Sequence, residues 1–271
     1  TTNCMRWLGG WSWRFQEGCE NNPPFDLWSG KPRRCCGFKK KKKKFSIIGF
    51  MTFHIITIFP EMFSSYLGES ILARAIKEKK IKVKFYNPRE YVRGKLKKVW
   101  PDGNISSKID DRPYGGGPGM VMIADPIIRA WEKASKNLKN PKTIIFSPSG
   151  KKLTTEYAKT SAKKFKDLIL ICGRYEGIDA RVKKITKAED ISIGDYVLTG
   201  GEIPAMIVID TISRQIPGVL GKIESLEETR VSSSEVYTRP EVYEYKGKKH
   251  KVPKVFLSGH HKNLEHYKKN K

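Results

Sequence analysis

Apolar side chains fall along this chain in short clusters whose spacing changes from one stretch to the next. The β-branched and aromatic run over 53–59, stopped by Pro60, predicts a first strand. Over 62–79 the apolar residues Met62, Phe63, Tyr66, Leu67, Ile71, Leu72, Ala75 and Ile76 recur at helical spacing. Alternation with lysine over 81–86 predicts a second strand, ended by Asn87-Pro88. Residues 89–111 are polar, with Arg93, Lys95, Lys97 and Lys98, and predict an irregular, partly mobile basic segment. Asp125-Pro126 is a helix-start signal for a helix reaching 136. A strand over 143–146 closes in Ser147-Pro148-Ser149-Gly150, and a helix over 154–165 follows. The apolar run 168–172, held between polar residues and Gly173, suits a buried parallel strand. A helix over 204–215 is apolar on more than one face, which places it between layers or at a subunit interface. Strands alternating with helices in this way predict an α/β domain with a largely parallel sheet.

Three glycine-rich loops punctuate that pattern. Gly173-Arg174-Tyr175-Glu176-Gly177 follows the 168–172 strand, where open α/β folds place their ligands. Residues 193–202 form a second loop, and both can expose backbone groups to a small polar ligand. Taken singly, either is equally an ordinary tight turn; together, feeding one helix, they point to a ligand site. The third, 112–120, is too rich in glycine and proline for helix or regular strand. It lacks the Gly-Lys-Ser/Thr ending of a triphosphate-binding loop, which disfavours ATPase chemistry. Arg214, at the end of the 204–215 helix, either complements the helix dipole or serves a site.

Composition then narrows the partner. The 271 residues carry a net charge of +25, and beyond residue 50 there remain 42 basic against 25 acidic side chains. So basic a body argues for a polyanion, nucleic acid foremost. No apolar run is long enough to span a membrane. Four of the five cysteines (Cys4, Cys19, Cys35 and Cys36) precede residue 50, and Cys172 sits within an apolar strand. The body therefore has no disulfide framework, which points to the cytoplasm. The adjacent Cys35-Cys36 lacks the paired spacing of a zinc site, so no metal centre is expected.

Residues 1–50 differ in texture from the rest. They hold four of the six tryptophans and the lysine run 39–44, with no sustained helical or strand period. They are read as an unrelated leader, disordered or artefactual, with Met51 as the natural start.

Residues 111–120, 173–179, 193–204, 237–240 and 257–260 together resemble the signatures of the bacterial tRNA (guanine-N1)-methyltransferases, the TrmD family of the SPOUT superfamily. The resemblance spans roughly 51–267. It implies a parallel-sheet domain with a C-terminal trefoil knot over 51–219, a linker or lid over 220–236, and an abbreviated tRNA-contacting region over 237–271. It implies an obligate homodimer with S-adenosyl-L-methionine bound at the subunit interface, and Mg2+ as a candidate ion. The cofactor residues would be Phe146, Ser147 and Pro148, then Gly173, Tyr175 and Glu176. Ile193, Gly194, Asp195, Tyr196, Val197 and Leu198 would follow, with Gly200, Gly201 and Pro204. The substrate would be guanosine 37 of tRNA, contacted by Arg112, Tyr114, Gly115, Gly116, Gly117 and Pro118, and by Tyr237, Arg239 and His260. Arg214 matches the family's essential arginine. The family's basic aspartate falls on Thr229 here, so Glu228 is the substitute general base and Glu227 the next candidate. The chain also ends soon after the Ser-Gly-His motif, where the family continues into a helical domain. Two other readings are a catalytically silent RNA-binding protein on this fold and the same chemistry on another RNA.

Overall fold

The computed structural model describes residues 4–8, 12–16, 50–99, 105–221, 235–260, 263–264 and 266–267. The chain divides into two compact units, Thr1–Ser46 and Ile47–Lys271. In the first, Cys4–Leu8 pairs antiparallel with Ser12–Gln16, placing Trp7 opposite Trp13. Both strands lie in the stretch read as a leader with no sustained strand period. Each run is only five residues long, too short for its alternation to stand out.

The second unit is built on a five-stranded sheet. Its strands are β1 (Met51–Ile56), β2 (Ile81–Tyr86), β3 (Lys142–Lys152), β4 (Asp167–Ile171) and β5 (Glu189–Ser192). The order is β5-β3-β4-β1-β2, and every neighbouring pair is parallel. The expected parallel α/β class is therefore what the chain adopts.

Burial explains the strand texture. Every residue of β1 is buried, and side chains alternate between the two faces of the sheet. Phe53 and Ile55 join Leu168 and Leu170 in a cluster with α1 (Ser70–Lys77), α3 (Thr155–Lys164) and α5 (Glu202–Ser213). Ile56, Ile169 and Ile171 face the other way, onto α2 (Ala124–Ser135) and α4 (Ala180–Thr186). The result is three layers, helices on both faces of one sheet.

Several boundaries differ from expectation, each for a local reason. The first strand stops at Ile56 instead of 59, because Thr57 Oγ1 turns to bond both Glu202 and the Phe59 N–H. The helix expected over 62–79 breaks into Pro60–Phe63, Ser64–Leu67 and α1. Gly68 closes the middle turn, and Ser70 takes φ +54, which no helix continues through. Within the basic stretch 89–111 the described residues form short 3-10 turns and an antiparallel strand pair, Lys97–Val99 with Ile105–Ser107. The third strand runs on through Ser147-Pro148-Ser149-Gly150, with a register shift against β5 between Asp190 and Ile191. Gly150 permits that contact, since a Cβ there would lie 2.7 Å from the Asp190 carbonyl carbon. Helix α4 and strand β5 were not expected at all. The helix over 204–215 is observed as Glu202–Ser213, with Arg214 as its cap residue.

Residues 222–234, which include Glu227, Glu228 and Thr229, lie outside the described residues, as do 1–3, 9–11 and 17–49 of the leader.

Candidate functional site

At the carboxyl ends of β4 and β5 two loops, together with the middle of β3, enclose a cavity of about 300 Å³. That is at the lower end of the usual size for a small-molecule site. Phe146, Ser147 and Pro148 line one wall, and Gly173 to Gly177 follow from the end of β4. Ile193, Gly194, Tyr196, Val197 and Leu198 form the opposite side, with Gly200, Gly201 and Pro204 closing it at the start of α5. All the expected cofactor residues thus converge except Asp195, whose carboxylate points out to an exposed ion pair with Lys152 at 2.7 Å.

Close approach is what the glycines supply. A Cβ on Gly201 would stand 2.7 Å from Cys172 Cα and 2.9 Å from the Gly173 nitrogen. The Gly201 N–H instead donates to the Gly173 carbonyl at 2.8 Å, which locks the two cavity loops together. Arg174 and Gly200 form a further antiparallel bridge. Tyr175 holds φ +59, an uncommon left-handed conformation for a non-glycine residue, at the cavity rim.

Beneath this seam lies a buried charge cluster that the pattern of the chain did not reveal. Glu202 is 1% exposed and accepts a hydrogen bond from Thr57 Oγ1 at 2.8 Å. Arg174 Nε stands 2.9 Å from Glu202 Oε2, but its N–H is not aimed along that line, so the pair is held by charge. Neither atom has another hydrogen-bond partner among the described residues. The Arg174 guanidinium also lies over the Phe59 ring, 4.9 Å from its centre. A Cβ on Gly200 would meet both Arg174 Nε and Glu202 Oε2, so only glycine can cover the pair this closely. Burial, with Glu202 nearby, pushes the Cys172 thiol up and keeps it inert.

The glycine-rich 112–120 loop is tied to the same site. Asp110–Asp111 pairs with Val121–Met122 and closes the loop at its base. The Glu176 N–H donates to the Met120 carbonyl, and the Met122 N–H to that of Gly177. Gly119, at φ +82, leaves room for the Glu176 side chain, 2.6 Å from where its Cβ would be. Tyr114 is fully exposed, and Gly115, Gly116 and Gly117 take positive φ with open space around them. The loop is thus anchored at the cavity while its tip, with Arg112 and Pro118 beside it, faces outward.

The remaining predicted residues lie elsewhere. Arg214 is half-buried at the end of α5 and does not line the cavity of this single chain. Tyr237 packs edge-on against Phe256, and Arg239 and His260 are exposed. Glu228 falls outside the described residues. The cavity-lining residues not anticipated are Arg174, Gly177, Ile191, Ser192 and Thr199. Arg174 and Gly177 belong to the flagged Gly-Arg-Tyr-Glu-Gly loop, so their place in it was the available signal. Among the described residues no three histidine, cysteine, aspartate or glutamate side chains converge on a point that could hold a metal ion. No helix among them is long and apolar enough to cross a membrane.

A three-layer parallel α/β domain with a backbone-lined cavity at its strand ends defines a small-molecule-binding enzyme domain of the open-sheet kind. The family model described as tRNA (Guanine-1)-methyltransferase TrmD matches residues 51–271, and the chain belongs to that family. It is 45% identical over 225 residues to the tRNA (guanine-N(1)-)-methyltransferase of Clostridioides difficile, covering 81% of this chain and 91% of that one. A relative of the same name from Ruminiclostridium cellulolyticum is 46% identical, with 80% and 89% covered. The crystal structure of the tRNA (m1G37) methyltransferase from Aquifex aeolicus superposes with a TM-score of 0.62 at 41% identity, over 81% of this chain and 88% of that one.

Proposed function

We propose that this chain transfers a methyl group from S-adenosylmethionine to N1 of guanosine 37 in tRNA, beside the anticodon. The observation that carries this reading is the convergence of the 173–177 and 193–202 glycine loops on one cavity, with the 112–120 loop hydrogen-bonded to the first of them, in a member of this family. The cavity suits the donor: half-exposed Tyr196 and Leu198, with Val197, offer apolar walls for a purine, and loop carbonyls and N–H groups can read its polar edges. S-adenosylmethionine, when bound, supplies the methyl electrophile, its C–S bond breaking as the C–N bond forms.

The chain's own part is to make guanine N1 nucleophilic. N1 carries a proton at neutral pH, and a carboxylate within hydrogen-bond reach removes it. Glu228 takes that role in this proposal, since Thr229 cannot. Negative charge then spreads to O6, where the Arg214 guanidinium stabilises it. The exposed, anchored tip of the 112–120 loop is the natural contact for the incoming guanosine, with Tyr237, Arg239 and His260 as further contacts. The basic body holds the stem by its phosphates.

Since Arg214 is not on the cavity of its own chain, the reaction needs a second copy. An exposed apolar face supports that reading: Phe59, Met62, Tyr66 and Ile203 are each more than a third exposed around α5. Burial and the neighbouring Asp210 of α5 push the Tyr66 phenol up, which ties this residue to the same face. A homodimer through it would bring Arg214 of one copy to the donor loops of the other.

Methyl transfer from labelled S-adenosylmethionine to a tRNA transcript with guanosine at position 37, against one with adenosine there, tests the proposal. Label on the first and none on the second is expected. Tight RNA binding without transfer would leave a silent RNA-binding protein, and label at another position would name another target.

A further inference from the structure

The C-terminal segment contains a hairpin that the cavity does not use. Val242–Tyr245 pairs antiparallel with Lys248–Lys251, closed by Lys246 and Gly247, both at positive φ. Two residues with that backbone make the turn whose twist matches flanking strands. All eight strand residues are exposed, although a two-stranded ribbon with nothing on either face is marginal in water.

Register sorts the side chains. Residues directly opposite share a face, so Tyr243 with His250 and Tyr245 with Lys248 stand on one side of the ribbon. Val242 with Lys251 and Glu244 with Lys249 stand on the other. The first face therefore combines two tyrosine rings, 60% and 54% exposed, with an imidazole and an ammonium. The Lys246 ammonium adds to it, 5.4 Å from the centre of the Tyr245 ring. Rings beside cations are what unpaired nucleotides require: the ring takes the base by stacking, and the cation takes the adjoining phosphate.

We propose that the Tyr243, Tyr245, Lys248 and His250 face binds unpaired nucleotides of the RNA substrate. This rests on the tRNA-methylating reading and adds a stacking surface outside the donor cavity. Charge complementarity selects the occupant, because four lysines over 246–251 face a polyanion in a chain of net charge +25.

The test is fluorescence anisotropy of the full chain with an anticodon stem-loop RNA, and with the same stem closed as a blunt duplex. Tyr243→Ala and Tyr245→Ala should each lose about five- to a hundredfold in stem-loop affinity, the usual range for one stacked base. They should leave the duplex and donor binding unchanged, and Tyr245→Phe should bind like the parent. Unchanged stem-loop affinity in both alanine variants overturns the proposal, as does equal loss on the duplex. A fall in oligomeric mass in the variants would make the face a protein interface and also overturn it. If the parent chain itself neither binds nor methylates tRNA, the underlying functional reading has failed, and the variants are not needed to see it.

Discussion

Replacing Glu202 by glutamine removes one negative charge from beneath the donor cavity while keeping its shape. Thr57 Oγ1 retains an acceptor, so the loss falls on Arg174, whose side chain is 18% exposed and whose Nε lies 2.9 Å from the lost charge. Breaking a buried pair by removing one partner costs about 3–5 kcal/mol, and the partial exposure of Arg174 places this case at about 3. For a unit of this size that corresponds to a fall in melting temperature of about 6–12 °C. Function should suffer as well, since Arg174 lines the cavity and its backbone bridges to Gly200. Calorimetric titration should show S-adenosylmethionine binding about tenfold weaker. Removing Arg174 as well, in Glu202→Gln with Arg174→Met, leaves no buried charge unpaired. The double variant should therefore cost clearly less than the two single changes added together. Additive losses, or a Glu202→Gln variant with parental melting and donor affinity, would refute the assignment of this pair as the clasp between the loops.

Other outcomes follow from the same geometry. Gly201→Ala drives a Cβ into the Cys172 and Gly173 backbone, so soluble protein should lose donor binding by well over tenfold in the same titration. Arg214→Ala should lower single-turnover methylation by about a hundredfold or more while leaving donor affinity within twofold; a large change in donor affinity would place it in the cavity instead. Glu228→Gln should cut the same rate by about a hundredfold or more, and unchanged turnover would remove that residue from the chemistry. His54 is buried, with Tyr86 OH 3.0 Å from Nδ1 and Asp167 Oδ1 3.4 Å from Nε2. Burial lowers its pKa below 6.5, aided by Lys84 and Lys82 and opposed by Asp167. The unfolded chain therefore binds this proton first: the neutral-form stability is fully present above pH 6.5 and is lost as pH falls through the lowered native value. Thermal melts from pH 8 to 5 should show His54→Gln with a flatter acid limb than the parent.

Much of this molecule could be read from residue order alone. The strands β2 and β4 and helices α2, α3 and α5 emerged within a few residues of their observed limits, because burial of one stripe or both faces writes a clear period. The loops of the cavity were legible for a related reason: glycine at Gly173, Gly200 and Gly201 marks backbone that must come close to something. Short elements were not legible. Neither α4 nor β5 is long enough to establish a period, and the strands of the two ribbons, Cys4–Leu8 with Ser12–Gln16 and Val242–Tyr245 with Lys248–Lys251, are only five and four residues long.

Residue order determined the class of fold, the basic surface and the loops that meet at the strand ends, since composition and local spacing carry all three. Only the tertiary structure decided what lies between distant segments. It joined Thr57, Arg174 and Glu202 into one buried cluster, turned Asp195 away toward Lys152, and set Tyr243 and Tyr245 on one side of a ribbon with His250 and Lys248. Those facts depend on strand order and register, which hydrogen bonding between separated stretches sets and no single window of sequence contains.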